Sequence, residues 1–326
     1  MTIVLAVDGG NSKTDLALVR ANGEVLAFAR GPQSSPHHLG LDGSLDVLED
    51  LLGEARRRAG LNGGGPVAQI AELLLAGVDL PVEERELREA ATARGLAESI
   101  AVANDTFAVL RAGTERGWGV AVVCGAGINC VGVAPDGRQA RFPALGSITG
   151  DWGGGYDVGL AAVSAAARSE DGRGPRTSLE SAVPGHFGLS TPSELAETIH
   201  RGRIPQRRVH ELAPVVFAEA ERDAVATGIV ERVAEEIAAL VRVTLQRLGL
   251  TEEPVEVLLG GGLLRAGDPL LMREIERRVA GVAPAAVLRV PTSPPIVGAA
   301  LLGLDRLGAD DEAQARVRRE LGDVDG

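Results

Sequence analysis

Hydrophobic and polar residues are arranged along the first thirty positions in a pattern that predicts three short strands. An apolar run at 3–7 ends in the polar, glycine-containing segment 8–14, and residues 15–19 then alternate between polar and apolar with a period of two. Asn22-Gly23 is a tight-turn signal, and the apolar residues of 24–29 follow it. The chain is therefore predicted to open as an antiparallel meander.

Longer periodic segments continue this first unit as alternating helices and strands. Helical periodicity is present at 45–59 and 82–94, while short apolar runs at 72–76 and 100–103 predict strands. We expect this N-terminal α/β domain to comprise residues 1–111.

The opening pattern of strand, glycine-rich turn, strand, turn and strand then recurs. A buried strand at 119–124 ends in Gly125-Ala126-Gly127, a returning strand follows at 129–134, and the turn at 135–138 precedes another short strand. We interpret this recurrence as a diverged internal duplication. The second domain is expected to comprise residues 112–326.

The rest of the second domain contains one irregular stretch among regular elements. Residues 170–222 are rich in Arg, Pro and Gly and are predicted to form a helical insertion. An amphipathic helix is predicted at 224–248, and a buried strand at 255–259 leads into Gly260-Gly261-Gly262. No low-complexity linker divides the halves, which favours a cleft between packed domains.

Composition narrows the classes of protein. The 326 residues can bury a core without disulfide or metal support, and the two cysteines cannot form a disulfide framework. The apolar start has no basic region and meets Asp8 early, and no apolar run has the length of a membrane span, so we expect a cytoplasmic protein. A net charge of -12 and only eight aromatic residues argue against nucleic-acid binding and against an aromatic carbohydrate cleft.

Three glycine-containing turns follow buried strands, and such turns let backbone N–H groups approach an anion. The first is not a Walker A loop, because Ser12 precedes Lys13 and an alternating strand follows. The second lacks the third glycine and the helix of a dinucleotide fingerprint. Lys13 is the single lysine among 33 basic residues. It either places a cation near phosphates or points outward as the one exception to an arginine bias.

In this order the motifs resemble those of the sugar kinase, Hsp70 and actin superfamily. The first phosphate motif is similar to Asp8-Gly9-Gly10-Asn11-Ser12-Lys13-Thr14, the second to 124–129, the adenosine motif to 259–263, and the linking elements to 104–106 and 296–300. The resemblance is closest to the group that unites N-acetylglucosamine kinases with BadF/BadG/BcrA/BcrD-type ATPases, through 104–106, 125–130 and 150–155. Bacterial ROK kinases fit less well, because a cysteine-rich zinc motif is missing from the sequence.

The resemblance implies a fold class and a set of ligands. The fold is α/β, with two duplicated actin-like (ribonuclease H-like) ATPase domains around an interdomain nucleotide cleft. The implied cofactors are ATP and Mg²⁺, the implied substrate is a sugar, and a homodimer is the expected assembly.

The resemblance also implies residue roles. Asp105 would be the catalytic base, although an Asp before an apolar run also serves as a helix cap. Asp8 would hold Mg²⁺, or is a plain turn residue. The residues implied for nucleotide binding are Gly9, Gly10, Asn11, Ser12, Lys13, Thr14, Gly125, Gly127, Asn129, Gly260, Gly261 and Gly262.

For the sugar, the resemblance implies Asp151, Asn104 and Asp105, and by position His37 and His38. A carboxylate that accepts paired hydroxyls discriminates strongly between sugars. Asp151 could instead be a turn residue, and the two histidines could belong to a surface loop. The family's Asn-rich loop and Trp-Gly-His run are missing here, which leaves the sugar open.

Three functions remain as hypotheses. The first is an ATP-dependent kinase of an amino sugar, N-acetylglucosamine or glucosamine, that yields a 6-phosphate. The second is an ATPase activator of a 2-hydroxyacyl-CoA dehydratase or benzoyl-CoA reductase system, which needs cysteine thiolates that bind an iron–sulfur cluster across a dimer. Cys124 and Cys130 flank the second loop and are expected to be small buried residues. The third is a non-enzymatic sugar sensor.

Overall fold

The computed structural model describes residues 2–61, 63 and 65–324. Within them the strands are β1 (Ile3–Gly9), β2 (Lys13–Arg20), β3 (Val25–Pro32), β4 (Ala68–Leu75), β5 (Ala97–Ala103), β6 (Gly119–Cys124), β7 (Ile128–Val133), β8 (Gln139–Arg141), β9 (Glu256–Gly260) and β10 (Val287–Arg289). The α-helices are α1 (Pro36–Arg58), α2 (Pro81–Ala93), α3 (Thr106–Gly113), α4 (Gly155–Glu170), α5 (Leu179–His186), α6 (Pro192–His200), α7 (Ala213–Glu219), α8 (Ala224–Leu248), α9 (Gly262–Arg265), α10 (Pro269–Val282), α11 (Pro295–Leu307) and α12 (Asp311–Leu321).

The first sheet begins as the predicted meander. Strand β1 pairs antiparallel with β2, from Ile3 opposite Arg20 to Gly9 opposite Thr14, and β2 pairs antiparallel with β3. Strand β4 runs parallel to β1, and β5 runs parallel to β4, which gives the order β3-β2-β1-β4-β5. The carboxyl ends of β1, β4 and β5 therefore meet at one edge of the sheet.

The second sheet repeats this topology. Its order is β10-β9-β6-β7-β8. When β6 to β10 are numbered 1 to 5 and the order is read in reverse, the arrangement is 3-2-1-4-5, as in the first sheet. Strands β7 and β8 are antiparallel, whereas β9 and β10 are parallel, as are the corresponding strands of the first sheet. The repeated order confirms the predicted duplication of an α/β fold.

Two compact units divide the chain. The first comprises Met1–Ala121, Val131–Pro143 and Pro291–Gly326, and the second comprises Val122–Cys130 and Ala144–Val290. All strands of the first sheet lie before residue 112, and all strands of the second lie after it. A domain boundary between 111 and 112 itself remains a prediction.

Helices cover both faces of the first sheet. Side chains of β1 alternate between these two faces. Leu5 and Val7 belong to a buried cluster that also contains Leu45 and Leu48 of α1. Val4 faces the other side, where a Cβ added at Gly303 of α11 would overlap it. Helix α11 is in contact with β1 in this way.

The same helix α11 holds α3 in place. A Cβ at Gly298 would overlap the backbone oxygen of Ala108, so the two helices approach as closely as a glycine allows. Arg111 of α3 is 4% exposed, and its guanidinium donates to both carboxylate oxygens of Asp305, at 2.7 and 3.0 Å. The body of α3 is therefore anchored independently of its first turn.

Two differences from the sequence-based expectation involve helices. Helix α1 begins at Pro36 rather than near 45, with one helical turn before Gly40, whose φ of 70° and ψ of 174° interrupt it. Helix α4, Gly155–Glu170, was not predicted, since it begins in a glycine-rich stretch. The 170–222 insertion does contain helices, α5, α6 and α7. Within the residues that the structure describes, no helix is long and apolar enough to span a bilayer.

Candidate active site

The first glycine-containing turn joins β1 to β2 and is closed by a hydrogen bond from Gly10 N to the Lys13 carbonyl, at 2.9 Å. A Cβ at Gly9 would overlap the side chains of Leu75 and Ser34, so no larger residue fits at this position. Asp8 is partly exposed at the end of β1. The turn is therefore built by close packing, with a carboxylate at its start.

Thr14 and the residues before it have different exposures. Thr14 is fully buried, and its hydroxyl donates to Ser34 Oγ at 2.7 Å. Asn11 and Ser12 are exposed at the tip of the turn. Their polar groups face solvent, where a phosphate could reach them.

Lys13 is held by a buried carboxylate that pattern analysis did not single out. Its Nζ lies 3.2 Å from Asp15 Oδ2, and Asp15 is 1% exposed. Arg30, opposite Asp15 in the register of β2 and β3, donates to both oxygens of that carboxylate, at 2.5 and 2.8 Å. A signal for this cluster was present, because residues 13 and 15 share one face of a strand. The structure thus pairs the lone lysine with Asp15.

Polar side chains meet at the edge of the first sheet, where β4 and β5 end. Asn104 Nδ2 donates to Asp79 Oδ1 at 2.8 Å, and Asn104 Oδ1 accepts from Thr106 N at 2.9 Å and from Thr106 Oγ1 at 2.6 Å. Asp105, between these two residues, is the N-cap residue of α3, but its side chain makes no capping hydrogen bond. Asn104 satisfies the helix start instead, which argues against Asp105 being a simple cap.

The environment of Asp105 changes its acidity. Burial of the carboxyl, followed by the negative charge of Asp79, raises its pKa from 3.8 to about 7. Backbone N–H groups at the start of α3 oppose this rise without cancelling it. A carboxyl with a pKa near neutrality can accept a proton and release it again within one turnover.

Asp79, in the turn between β4 and α2, was not among the predicted site residues. Its backbone N–H and that of Leu80 both donate to Glu83 Oε2 at 2.8 Å. Burial would raise the pKa of Glu83, but these backbone donors and His37 outweigh it, and the pKa lies below its ordinary value. Helix α2 therefore holds the turn that carries Asp79.

The predicted sugar loop lies beside that turn. His37 Nε2 is 3.4 Å from Glu83 Oε1, while His38 is exposed. Ser35 is fully buried, and its hydroxyl has no hydrogen-bond partner among the described residues. A Cβ at Gly77 would lie 2.8 Å from that hydroxyl, so the two segments are in contact.

The second unit contains the other two glycine turns. In the first of these, Gly125 N donates to the Gly127 carbonyl at 2.9 Å, and the carbonyls of Gly125 and Ala126 accept from Gly155 N and Tyr156 N at the start of α4, at 2.8 and 3.0 Å. A Cβ at Gly125 or Gly127 would meet no atom within 4 Å. Asn129 Oδ1 accepts from its neighbour, Cys130 N, at 2.7 Å.

The triple-glycine turn packs directly against the end of β6. Gly261 has a φ of 89°, a conformation that favours glycine, and a Cβ there would overlap the backbone of Cys124. Gly260 ends β9, and Gly262 begins α9. The turns at 125–127 and 260–262 are therefore neighbours within the second unit.

Asp151 lies in a turn whose backbone is closed on one carbonyl. Gly146 O accepts from the N–H groups of Thr149, Gly150 and Asp151, at 3.1, 3.0 and 3.0 Å. The Thr149 hydroxyl donates to the Asp151 carboxylate, which is partly exposed. This turn presents a carboxylate with its backbone already ordered.

A cavity of about 560 Å³ lies next to this turn, lined by residues of α4 and α8 together with Trp152. The guanidinium of Arg232 lies 4.0 Å from the centre of the Trp152 ring. Burial raises the pKa of Asp157 and of Glu236, Arg232 opposes both shifts, and the charge of Asp151 adds to both. Asp151 thus stands close to two further carboxylates.

Both cysteines are buried. Cys124 Sγ donates to Gly153 O at 2.8 Å, and Cys130 Sγ lies 3.3 Å from Thr244 Oγ1. Burial raises the pKa of each thiol to about 12. Neither is a ready thiolate.

The described residues contain no group of three or more His, Cys, Asp or Glu side chains arranged to hold a metal ion. Mg²⁺ bound with phosphates needs only one or two carboxylates, because it keeps several waters. The carboxylate of Asp8, at the carboxyl end of β1, is an oxygen ligand of that kind.

The predicted residues thus fall into two sets, each within its own unit. Asp8 to Thr14, His37, Asn104 and Asp105 belong to the first unit, while the two later glycine turns and Asp151 belong to the second. A nucleotide cleft between the halves remains a prediction.

Comparison with known proteins agrees with the motif order. A model of the BadF/BadG/BcrA/BcrD ATPase family matches residues 5–303. The chain belongs to this family. An N-acetylmuramic acid/N-acetylglucosamine kinase of Clostridium acetobutylicum is 28% identical over 81% of this chain and 86% of its own. An N-acetyl-D-glucosamine kinase of Dictyostelium discoideum is 27% identical over 93% of this chain and 98% of its own.

A solved structure extends the family likeness to the fold. The crystal structure of a protein from Chromobacterium violaceum, provisionally described as an N-acetylglucosamine kinase, is 25% identical and has a TM-score of 0.71. The match covers 93% of this chain and 99% of that one. The fold of this family member is thus shared over nearly its whole length.

Proposed function

We propose that the chain is an ATP-dependent sugar kinase that transfers the γ-phosphoryl group of ATP to a hydroxyl of an amino sugar. The acceptor is N-acetylglucosamine or glucosamine, and the product is the 6-phosphate. The observation that carries this proposal is Asp105, a carboxyl with a pKa of about 7 that is not used to cap its helix. The family relationship supplies the reaction class.

Asp105 would act as the general base. Phosphoryl transfer requires little covalent chemistry from the protein but does require a group that accepts the proton of the attacking hydroxyl. With a pKa of about 7, the carboxyl is about half ionised at neutral pH, and its basicity is matched to that proton transfer. The hydrogen bond from Thr106 N to Asn104 Oδ1 spans Asp105 and orders its backbone.

The nucleotide would be bound by the three glycine turns. The exposed Asn11 and Ser12 offer polar groups to phosphates, and the glycines at 9, 10, 125 and 127 would let phosphates approach the backbone. The turn at 260–262 would receive the adenosine. Asp8 would hold Mg²⁺, which neutralises developing charge on the phosphates when it is bound. The family's description as ATPases supports the binding of ATP by this chain.

Asp151 would recognise the sugar. Its carboxylate accepts from the Thr149 hydroxyl and is partly exposed, so that it can also accept from ring hydroxyls. His37, His38 and Asn104 remain candidates for further sugar contacts. The named activities of the two curated relatives support an N-acetylated hexosamine as the acceptor.

The activator hypothesis is less well supported. An iron–sulfur cluster shared by two subunits needs accessible thiolates. Cys124 and Cys130 are buried, are hydrogen-bonded to Gly153 and Thr244, and have pKa values near 12. Iron bound to the protein after anaerobic purification would revive this hypothesis. The sensor hypothesis would be favoured by sugar binding without turnover.

The test is a substrate panel. ADP formation is measured with Mg-ATP and each of glucose, glucosamine, N-acetylglucosamine and N-acetylmuramic acid, for the wild type, Asp105→Asn and the control Asp136→Asn. Asp136 is an exposed turn carboxylate that is paired with Arg138 and is not one of the proposed site residues. We expect sugar-dependent ADP formation that Asp105→Asn abolishes and Asp136→Asn leaves intact. Equal ADP formation with and without every sugar would reject the kinase.

We further propose a cytoplasmic homodimer. Light scattering after size exclusion would measure the mass, which for a dimer is twice the 33.7 kDa of the chain. A mass of one chain at micromolar concentration would contradict the dimer.

A further inference from the structure

Asp79 stands where three segments meet at the edge of the first sheet. Its backbone N–H is bound by Glu83 of α2, and its carboxylate Oδ1 accepts from Asn104, which follows β5. Strands β4 and β5 are parallel neighbours, so their ends bring the turns after them side by side. Asp79 therefore connects α2 with the start of α3.

The hydrogen bonds fix the orientation of the Asn104 amide. Asn104 is 4% exposed, and its Oδ1 accepts from both the backbone and the hydroxyl of Thr106. Rotating the amide by 180° would direct its oxygen at the Asp79 carboxylate and its NH₂ group at the Thr106 N–H, so both contacts would become repulsive. The Asp79 carboxylate thus selects the orientation in which Asn104 satisfies the first N–H of α3.

We propose that Asp79 is a positioning residue for Asp105, acting through Asn104 on the turn between β5 and α3. This inference rests on the proposed function. The Asn104 side chain accepts from the Thr106 N–H, so the residues on both sides of Asp105 are joined and its backbone is held between them. The Asp105 carboxyl makes no capping hydrogen bond to α3, which leaves it available for the proton transfer.

Loss of Asp79 should affect the first turn of α3 and leave the rest of the helix in place. Arg111 is fixed by Asp305, and Ala108 is in close contact with Gly298, so the later turns have their own anchors. Variants at residue 79 are therefore expected to fold. Moving a catalytic group by about an ångström can lower a rate by about 100-fold.

Asp79 also contributes its charge. The negative charge of Asp79 raises the pKa of Asp105, in the same direction as burial does. The charged residues of the packed helix α11, Asp305 and Arg306, are paired with Arg111 and Glu72. On α2, Glu83 binds backbone N–H groups and faces His37.

The variants separate the hydrogen bond from the charge. Asp79→Ala removes both, and Asp79→Asn keeps an acceptor oxygen for Asn104 but removes the charge. Asp136→Asn is the matched control. We expect Asp79→Ala to lower kcat by about 10- to 100-fold while the KM for sugar and for ATP changes less than about twofold. Asp79→Asn should restore most of kcat and move the acidic limb of its pH profile to lower pH.

Two results would overturn the inference. One is an unchanged kcat in Asp79→Ala. The other is an equal loss in Asp79→Ala and Asp79→Asn with an unmoved pH profile, which is the behaviour of a merely structural residue.

A measurement without substrate keeps this inference separate from the proposed kinase. Hydrogen exchange of the Thr106 amide should be about tenfold faster in Asp79→Ala than in the wild type, because its acceptor is no longer held, while exchange at Leu110 in the same helix stays unchanged. If the wild type shows no sugar-dependent turnover but Thr106 exchange behaves in this way, the kinase proposal is wrong and the positioning of Thr106 by Asp79 through Asn104 is right. An unchanged Thr106 exchange rate would reject that positioning.

Discussion

Replacing Asp105 with Asn should inactivate the protein and stabilise it at the same time. Asn has nearly the same shape but cannot accept a proton in the reaction, and general base catalysis contributes about 10²- to 10⁴-fold to a rate. We therefore expect kcat to fall by at least about 100-fold. The same substitution removes a carboxylate from a place where ionisation is unfavourable.

The stability effect can be estimated from the pKa. Raising the pKa from 3.8 to about 7 corresponds to a cost of at most about 4.5 kcal/mol for the ionised form, at about 1.4 kcal/mol per pH unit. Because the residue is partly exposed, solvent reduces this cost, and we expect Asp105→Asn to raise the free energy of unfolding by about 1–2 kcal/mol at pH 8. Below pH 3.8 the carboxyl is protonated in both states, and the cost vanishes.

The raised pKa of Asp105 also determines how the free energy of unfolding changes with pH. Between pH 3.8 and about 7, the unfolded chain ionises Asp105 before the folded chain does, so this group lowers the stability of the wild type as the pH rises through that window. Above about pH 7 the difference is constant. Urea unfolding of both proteins at pH 4, 6 and 8 would measure it. A variant that is less stable than the wild type at pH 8, or a difference that is the same at pH 4 and pH 8, would refute the reasoning.

Three further predictions concern the Asp15 ion pairs, the two cysteines and the pH dependence of turnover. Asp15→Asn leaves Arg30 and Lys13 without their buried carboxylate, and we expect it to lower the free energy of unfolding by about 3 kcal/mol in a urea titration; no change would contradict the buried ion pair. Cys124 and Cys130 should resist a thiol reagent at pH 8 in the native protein and react at once in urea, whereas rapid native labelling would contradict their burial. The kcat/KM for the sugar should fall about tenfold per unit below pH 7, because the base is protonated there, and a flat profile from pH 5 to 8 would exclude Asp105 as the base.

The positions of the three glycine-containing turns could be predicted because each is a local feature of the sequence. Glycine at 9 and 261 is required where the backbone approaches Leu75 or Cys124, and such a requirement leaves a visible residue type at a strand end. The first meander was also predicted correctly, because alternating hydrophobicity is likewise a local feature of the sequence. The recurring strand and turn pattern predicted a repeat, and the strand order of the second sheet agrees with it.

The residues that were missed depend on contacts between distant segments. Asp79, which was missed, lies 25 positions before Asn104, which was predicted, and the two meet because β4 and β5 are parallel neighbours, a pairing that no local pattern reveals. Helix α4 begins where backbone carbonyls of the second turn accept from its first N–H groups, so a glycine-rich sequence can start a helix there. Tertiary hydrogen bonds compensate for the weak helix propensity of glycine.

Phosphorus NMR of the reaction mixture tests the central claim most directly. Mg-ATP is incubated with the protein in the presence and absence of N-acetylglucosamine, and the fate of the γ-phosphoryl group is observed. If the protein is a sugar kinase, a sugar 6-phosphate signal grows as the γ-phosphate signal of ATP declines, the signal needs the sugar, and Asp105→Asn does not produce it. Release of inorganic phosphate at the same rate with or without sugar, and no sugar phosphate, would contradict the kinase proposal.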